Sequence, residues 1–162
     1  IGALQAFTTK KKLQHVKPHG AMYNQAVNDM ALASAICEAL LDTDPNLVLL
    51  ALSGSPWITI AKQLGLRVAS EIFADRALNT DGTLVSRGSP GSVLHDVDEV
   101  AERSLQMVQK GSATAITGEE IEVDADSICI HGDTPGAVDM AIAVRQKFKD
   151  EGVEVVPLGQ IV

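Results

Sequence analysis

Aromatic residues are scarce in this chain: one Trp, one Tyr and three Phe among 162 residues. A core must then be built from Ala, Val, Leu and Ile, as is usual where helices cover a parallel sheet. Basic charge is also short. Thirteen Lys and Arg against 21 Asp and Glu leave a formal charge of −8. That argues against a nucleic-acid binder, which would carry a basic stripe, and against docking on anionic lipid. Cysteine is limited to Cys37 and Cys129, with no CxxC or Cys/His zinc spacing. Two reduced, buried thiols in a cytoplasmic protein are expected. No signal peptide and no apolar run of about 18 residues is present. No G-x-x-x-x-G-K-[ST] phosphate loop occurs. Gly88-Ser89-Pro90-Gly91-Ser92 is glycine-rich but lacks the lysine, which makes it a weak anion site. A small molecule or a protein partner is the remaining expectation.

What is present is globular in balance: 46% hydrophobic and 21% charged residues, enough for a single domain over residues 1–162. Strand and helix signals alternate. Leu13–Pro18 reads as a short strand and Asn24–Leu41 as one helix, with apolar residues at helical spacing. Leu47–Leu52 is an unbroken apolar run, the pattern of a strand buried on both faces. Pro56 opens a helix through Leu64. Arg67–Phe73 is a further strand, and Ala74 to Val93 is a long polar loop of the kind that is usually functional or disordered. Asp96 caps a helix over Val97–Lys110. Thr114–Val123 suggests a hairpin around Thr117-Gly118, Ser127–His131 a strand, Pro135–Glu151 a helix and Val153–Leu158 a last strand. The order implies parallel strands joined by crossovers, with a site at their carboxyl ends. The chain begins at Ile1 inside an amphipathic stretch, Gly2 to Thr8, which suggests sequence upstream.

Polar residues collect at those strand ends. His15, Lys17 and His19 alternate along one face of a strand. His19, Ser53, Glu71, Asp75, His131 and Asp133 all sit at or just after strand ends. Lys17 suits a point-charge contact to a carboxylate or phosphate, and His19 a general base or metal ligand. The intervening ammonium would repel a metal, so a substrate role is favoured for that trio. His131-Gly132-Asp133 places imidazole and carboxylate on one face, with Gly132 open to close approach. Two ligands are too few for a metal site, and Asp133 is also placed to cap the following helix. Asp75-Arg76 is either an ion pair or a route for Arg76 to fork a substrate carboxylate. Glu71 faces the same side and can serve as acid or base.

Three motifs occur in order: His15-Val16-Lys17-Pro18-His19-Gly20-Ala21-Met22-Tyr23-Asn24, Glu71-Ile72-Phe73-Ala74-Asp75-Arg76, and Ile128-Cys129-Ile130-His131-Gly132-Asp133-Thr134-Pro135. Together they resemble the LamB/YcsF family, and Asp81-Gly82-Thr83-Leu84-Val85-Ser86-Arg87 fits the same pattern. The resemblance runs over nearly the whole chain. It implies an α/β fold, part of a seven-stranded β/α barrel related to polysaccharide deacetylases, of which this chain would supply the C-terminal two-thirds. It implies ATP-dependent opening of the 5-oxoproline lactam to glutamate, with partner 5-oxoprolinase subunits. The family's Asp-Leu-Gly-Glu, Cys-Gly-x-His-Ala-Gly-Asp and Gly-Ala-His-Pro motifs do not occur here, so no role of theirs can be assigned. Met22 stands where the family often has Leu, and Leu78 where it often has Tyr.

Residues and resemblance together give these expectations. His19, Glu71 and Asp133 are catalytic. His15, Lys17, Tyr23, Asp75, Arg76 and His131 bind substrate. ATP is bound without a phosphate loop or is held by a partner, and the metal is undefined. Two alternatives stand beside this: a metal-dependent deacetylase-like hydrolase that needs no ATP, and a non-catalytic scaffold subunit.

Overall fold

A computed structural model describes residues 1–8 and 12–162. Four parallel strands form the main sheet in the order β1-β2-β3-β6: β1 (His15–Val16), β2 (Val48–Leu52), β3 (Arg67–Phe73) and β6 (Ser127–Cys129). Helices α2 (Gly20–Asn28), α3 (Met30–Thr43) and α4 (Pro56–Gln63) connect the first three strands. Between β3 and β6 come the long loop, α5 (Val97–Lys110) and an antiparallel hairpin of β4 (Ser112–Thr114) and β5 (Glu120–Glu122). Helix α6 (Ala137–Asp150) follows β6. This is an α/β arrangement, a stretch of β/α barrel wall with its helices outside.

The apolar run behaves as its pattern requires. Every residue of β2 is buried. Leu47, Leu49 and Ala51 pack with Cys37, Leu40, Trp57 and Ala61. Val48 and Leu50 point the other way and meet Ala69, Leu158 and Val162. Period-two alternation thus gives one strand two apolar faces. Helix α5 begins where its cap predicts: Asp96 Oδ1 accepts from the Glu99 N–H at 2.8 Å. It ends at Gly111, whose φ of 61° and a carbonyl 3.3 Å from where a Cβ would sit both require glycine.

Three readings of the sequence need correction. The expected helix over Asn24–Leu41 is two helices, because Asp29 adopts extended backbone and caps the second one. Its Oδ1 accepts from Ala31 N–H at 3.0 Å and Leu32 N–H at 3.1 Å. A carboxylate offered to free N–H groups stops one helix and starts the next. The expected strand Val153–Leu158 pairs with nothing among the described residues; a 3₁₀ turn, Leu158–Gln160, closes it. Apolar alternation makes a strand only where a neighbour supplies matching N–H and C=O groups. The amphipathic stretch from Gly2 to Thr8 is helical only over α1 (Gly2–Gln5), and it buries no residue.

The loop from Ala74 to Val93 is ordered and largely buried at its start. Isolated bridges join Arg76 to Val93 and Leu78 to Leu84. The Arg76 Nε–H donates to the Ser92 carbonyl at 3.1 Å, and its Nη2 donates to the Val85 carbonyl. A buried guanidinium thereby holds the two limbs of the loop together beside the strand ends.

Candidate functional site

A cavity of about 390 Å³ opens at the carboxyl ends of β1, β3 and β6. Its wall includes Lys17, His19, Tyr23, Phe73, Arg76, Arg87, Cys129, His131 and Asp133. Parallel strands put it there, since their following loops all leave from the same edge. Another cavity, of about 460 Å³, lies beside β6 between α5, α6 and residues 153–161. It is lined mainly by Val, Ile, Ala and Leu, with few polar groups. Chemistry needs convergent polar groups, and those are in the first cavity.

Two buried pairs organise that site. In the first, Lys17 Nζ donates to Glu71 Oε1 at 2.7 Å. The carboxylate side chain is 3% exposed and the ammonium side chain 17%. The ammonium also lies 4.7 Å from the Phe73 ring centre and 5.5 Å from that of Tyr23, a cation–π arrangement. The phenol of Tyr23 and Oε2 of Glu71 are buried without hydrogen-bond partners. Burial, then the Glu71 carboxylate, push the phenol far above its ordinary value.

In the second pair Asp75 is wholly buried. Its Oδ1 lies 2.9 Å from His131 Nδ1, while Oδ2 accepts from Thr134 Oγ1 at 2.8 Å and from the His131 N–H at 3.3 Å. Phe73 stacks on the imidazole, 5.6 Å between ring centres and 22° from parallel. A carboxylate on Nδ1 selects the tautomer that carries its proton there, so Nε2 is left as an acceptor.

The expected residues fall into three groups. Lys17, His19, Tyr23, Arg76, His131 and Asp133 share the cavity wall, with Glu71 and Asp75 immediately behind it on Lys17 and His131. His15 is not brought in. It lies at the amino end of β1, exposed, with Nδ1 3.4 Å from Gln14 Oε1. The shared strand face expected for His15, Lys17 and His19 does not form, because β1 ends at Val16 and Lys17 and His19 lie beyond it. Ser53 is structural: its hydroxyl accepts from the Asp124 N–H at 2.7 Å and ties β2 to the segment before β6.

Other expectations change in detail. Asp75 and Arg76 form no ion pair; the carboxylate goes to His131 and Thr134, the guanidinium to loop carbonyls. Burial and the nearby Arg87 lower the Arg76 pKa. Asp133 does not cap α6, whose cap position is Gly136. It faces Arg87 at 3.6 Å, both side chains being more than half exposed, a pairing worth little by itself. Gly132 needs no glycine backbone and has open space where a Cβ would be. In the glycine-rich segment the Ser89 and Ser92 N–H groups are spent on the Ser86 and Ser89 carbonyls.

Phe73, Arg87 and Cys129 were not singled out from the sequence. Phe73 follows Glu71 by two strand positions and Cys129 precedes His131 by two, so alternation places each beside a polar neighbour. Burial raises the Cys129 thiol pKa and nearby Lys17 opposes that. Among the described residues no three His, Cys, Asp or Glu side chains gather as a metal-ligand set, and no helix is long and apolar enough to cross a membrane.

Comparison with known proteins agrees with this architecture. The chain is 52% identical, over its whole length, to a protein of Thermococcus onnurineus named as a subunit of 5-oxoprolinase, of which it covers 64%. It is 52% identical to the protein of the same name from Pyrococcus abyssi, over 98% of this chain and 63% of that one. The crystal structure of a lactam utilization protein from Thermus thermophilus superposes with a TM-score of 0.86 at 44% identity, over 96% of this chain and 62% of that one. The chain thus spans a little under two thirds of the length of these relatives. The LamB/YcsF family model matches residues 1–162, and the chain belongs to the LamB/YcsF family.

Proposed function

We propose that this chain is part of a 5-oxoprolinase component that acts, with partner subunits and ATP, in hydrolysing the lactam of 5-oxoproline to glutamate. The observation that carries this reading is the cavity wall. It combines an aromatic side, Phe73 and Tyr23, with three cations, Lys17, Arg76 and Arg87. A small cyclic amide bearing a carboxylate fits that combination. The names of the relatives support it.

The side chains divide the work as follows. The Arg87 guanidinium is half exposed at the mouth and receives the substrate carboxylate. Arg76, committed to carbonyls, holds the rim in place. Lys17, fixed by Glu71, presents its remaining N–H donors to the carbonyl oxygen as charge develops there. Glu71 is a positioning residue, because it reaches the cavity only through Lys17. His19 and Asp133 line the mouth, both exposed, where protons exchange with solvent. ATP would phosphorylate the carbonyl oxygen and make the carbon a better electrophile. The sequence carries no phosphate loop, and we place the nucleotide on partner subunits.

The test uses the complete protein with its partner subunits. Glutamate and ADP should form together only when 5-oxoproline is present, and Arg87→Ala should raise the KM for 5-oxoproline by about tenfold or more. ATP turnover indifferent to 5-oxoproline, with no glutamate, would overturn the reading.

A further inference from the structure

We infer that His131 is the residue that moves the proton in lactam cleavage and that Asp75 is its positioning residue. This rests on the lactam reading above but reassigns the chemistry within the site. His131 and Asp75 were expected to bind substrate; their geometry is that of an oriented base.

Four observations converge. Asp75 is wholly buried and unneutralised by its neighbour Arg76, so its carboxylate is answered by His131 and Thr134. It holds the imidazole twice, through Nδ1 at 2.9 Å and through the backbone N–H at 3.3 Å. Phe73 stacked on the ring leaves the imidazole one orientation. The His131 side chain is 22% exposed and lines the cavity, so Nε2 is the ring atom left for a ligand. The competing groups lack one or more of these features. His19 is exposed and has no hydrogen-bond partner among the described residues that would orient it; Asp133 is at the surface; Glu71 is spent on Lys17.

The step acts on a carbonyl whose oxygen ATP would have phosphorylated, and a second water takes that phosphoryl group away as inorganic phosphate once the ring is open. A water hydrogen-bonded to Nε2 adds its oxygen to the ring carbonyl carbon while its proton passes to Nε2. The imidazolium then delivers that proton to the ring nitrogen as the C–N bond breaks. An amine and a carboxylic acid result, and His131 returns to its neutral form. Asp75 stays ionised throughout and stabilises the imidazolium.

Two measurements decide it. In the complete protein with its partner subunits, His131→Ala should lower kcat by about 10²-fold or more, with KM for 5-oxoproline little changed, and added imidazole should restore part of the rate. Nitrogen NMR of the imidazole, assigned by its disappearance in His131→Ala, should show the Nδ1–H tautomer, and Asp75→Asn should lose that preference. A His131→Ala enzyme within about threefold of wild type in kcat would overturn the assignment. So would an Nε2–H tautomer in the unsubstituted protein. If the wild-type complex releases no glutamate, the lactam reading fails, and the tautomer still judges the dyad without any turnover.

Discussion

Replacing Lys17 with Met keeps most of the unbranched stem and removes the terminal ammonium. The buried carboxylate of Glu71 then loses the hydrogen bond at 2.7 Å, and its other oxygen already has no partner. At an effective dielectric of about 20, the gross attraction at that distance is about 6 kcal/mol. Desolvation of both ions offsets much of that, but only while both are present. Removing one partner of a buried pair costs about 3–5 kcal/mol, a large share of the roughly 5–15 kcal/mol that holds a domain folded. With a urea slope of about 2 kcal/mol per M, the unfolding midpoint should fall by about 1.5–2.5 M. Adding Glu71→Leu should recover most of the loss, because an apolar pair of similar volume needs no solvation. Activity should stay low in the double variant, since no ammonium is restored. Chemical denaturation of wild type, both single variants and the double variant gives the cycle. A Lys17→Met midpoint within about 0.5 M of wild type, below 1 kcal/mol on that slope, would refute the buried-pair argument.

Tyr23→Phe removes a buried hydroxyl that sits near the Glu71 carboxylate without a well-formed hydrogen bond, so stability at neutral pH should change by less than about 1 kcal/mol or rise; a larger loss in denaturation would reveal a bond to that carboxylate. The same substitution should flatten the alkaline limb. Burial holds the folded phenol protonated well above its ordinary value, which lies near 10. The unfolded phenol loses its proton first, so stability falls as pH rises beyond that value. Tyr23 is the only tyrosine, and its tyrosinate absorbance should appear with unfolding and not before. Asp29→Ala should cost about 1 kcal/mol, the usual worth of an N-cap, and thermal unfolding that is unchanged would show that packing alone separates α2 from α3.

How legible the fold was depended on whether one signal acted alone. The run Leu47–Leu52 has no competing pattern, so a buried strand was read from it directly, and β3 and α5 carry the bounds their flanking residues announce. Asp29 is different. It sits inside a helical apolar period, and nothing local says that its carboxylate will turn from solvent to the N–H groups of Ala31 and Leu32. Val153–Leu158 fails for the reverse reason: its Val-rich composition suits a strand, but strand formation depends on a neighbour elsewhere in space. In the site, polar residues were visible by type and motif, while their partners were not. That Asp75 chooses His131 over the adjacent Arg76 is decided across 56 positions of sequence.

Phe73 touches both charge pairs: the Lys17 ammonium lies over its ring at 4.7 Å and the His131 imidazole stacks on it. One aromatic ring is thus the common seat of an ammonium and an imidazole, so a displacement of Phe73 would unsettle both buried pairs at once.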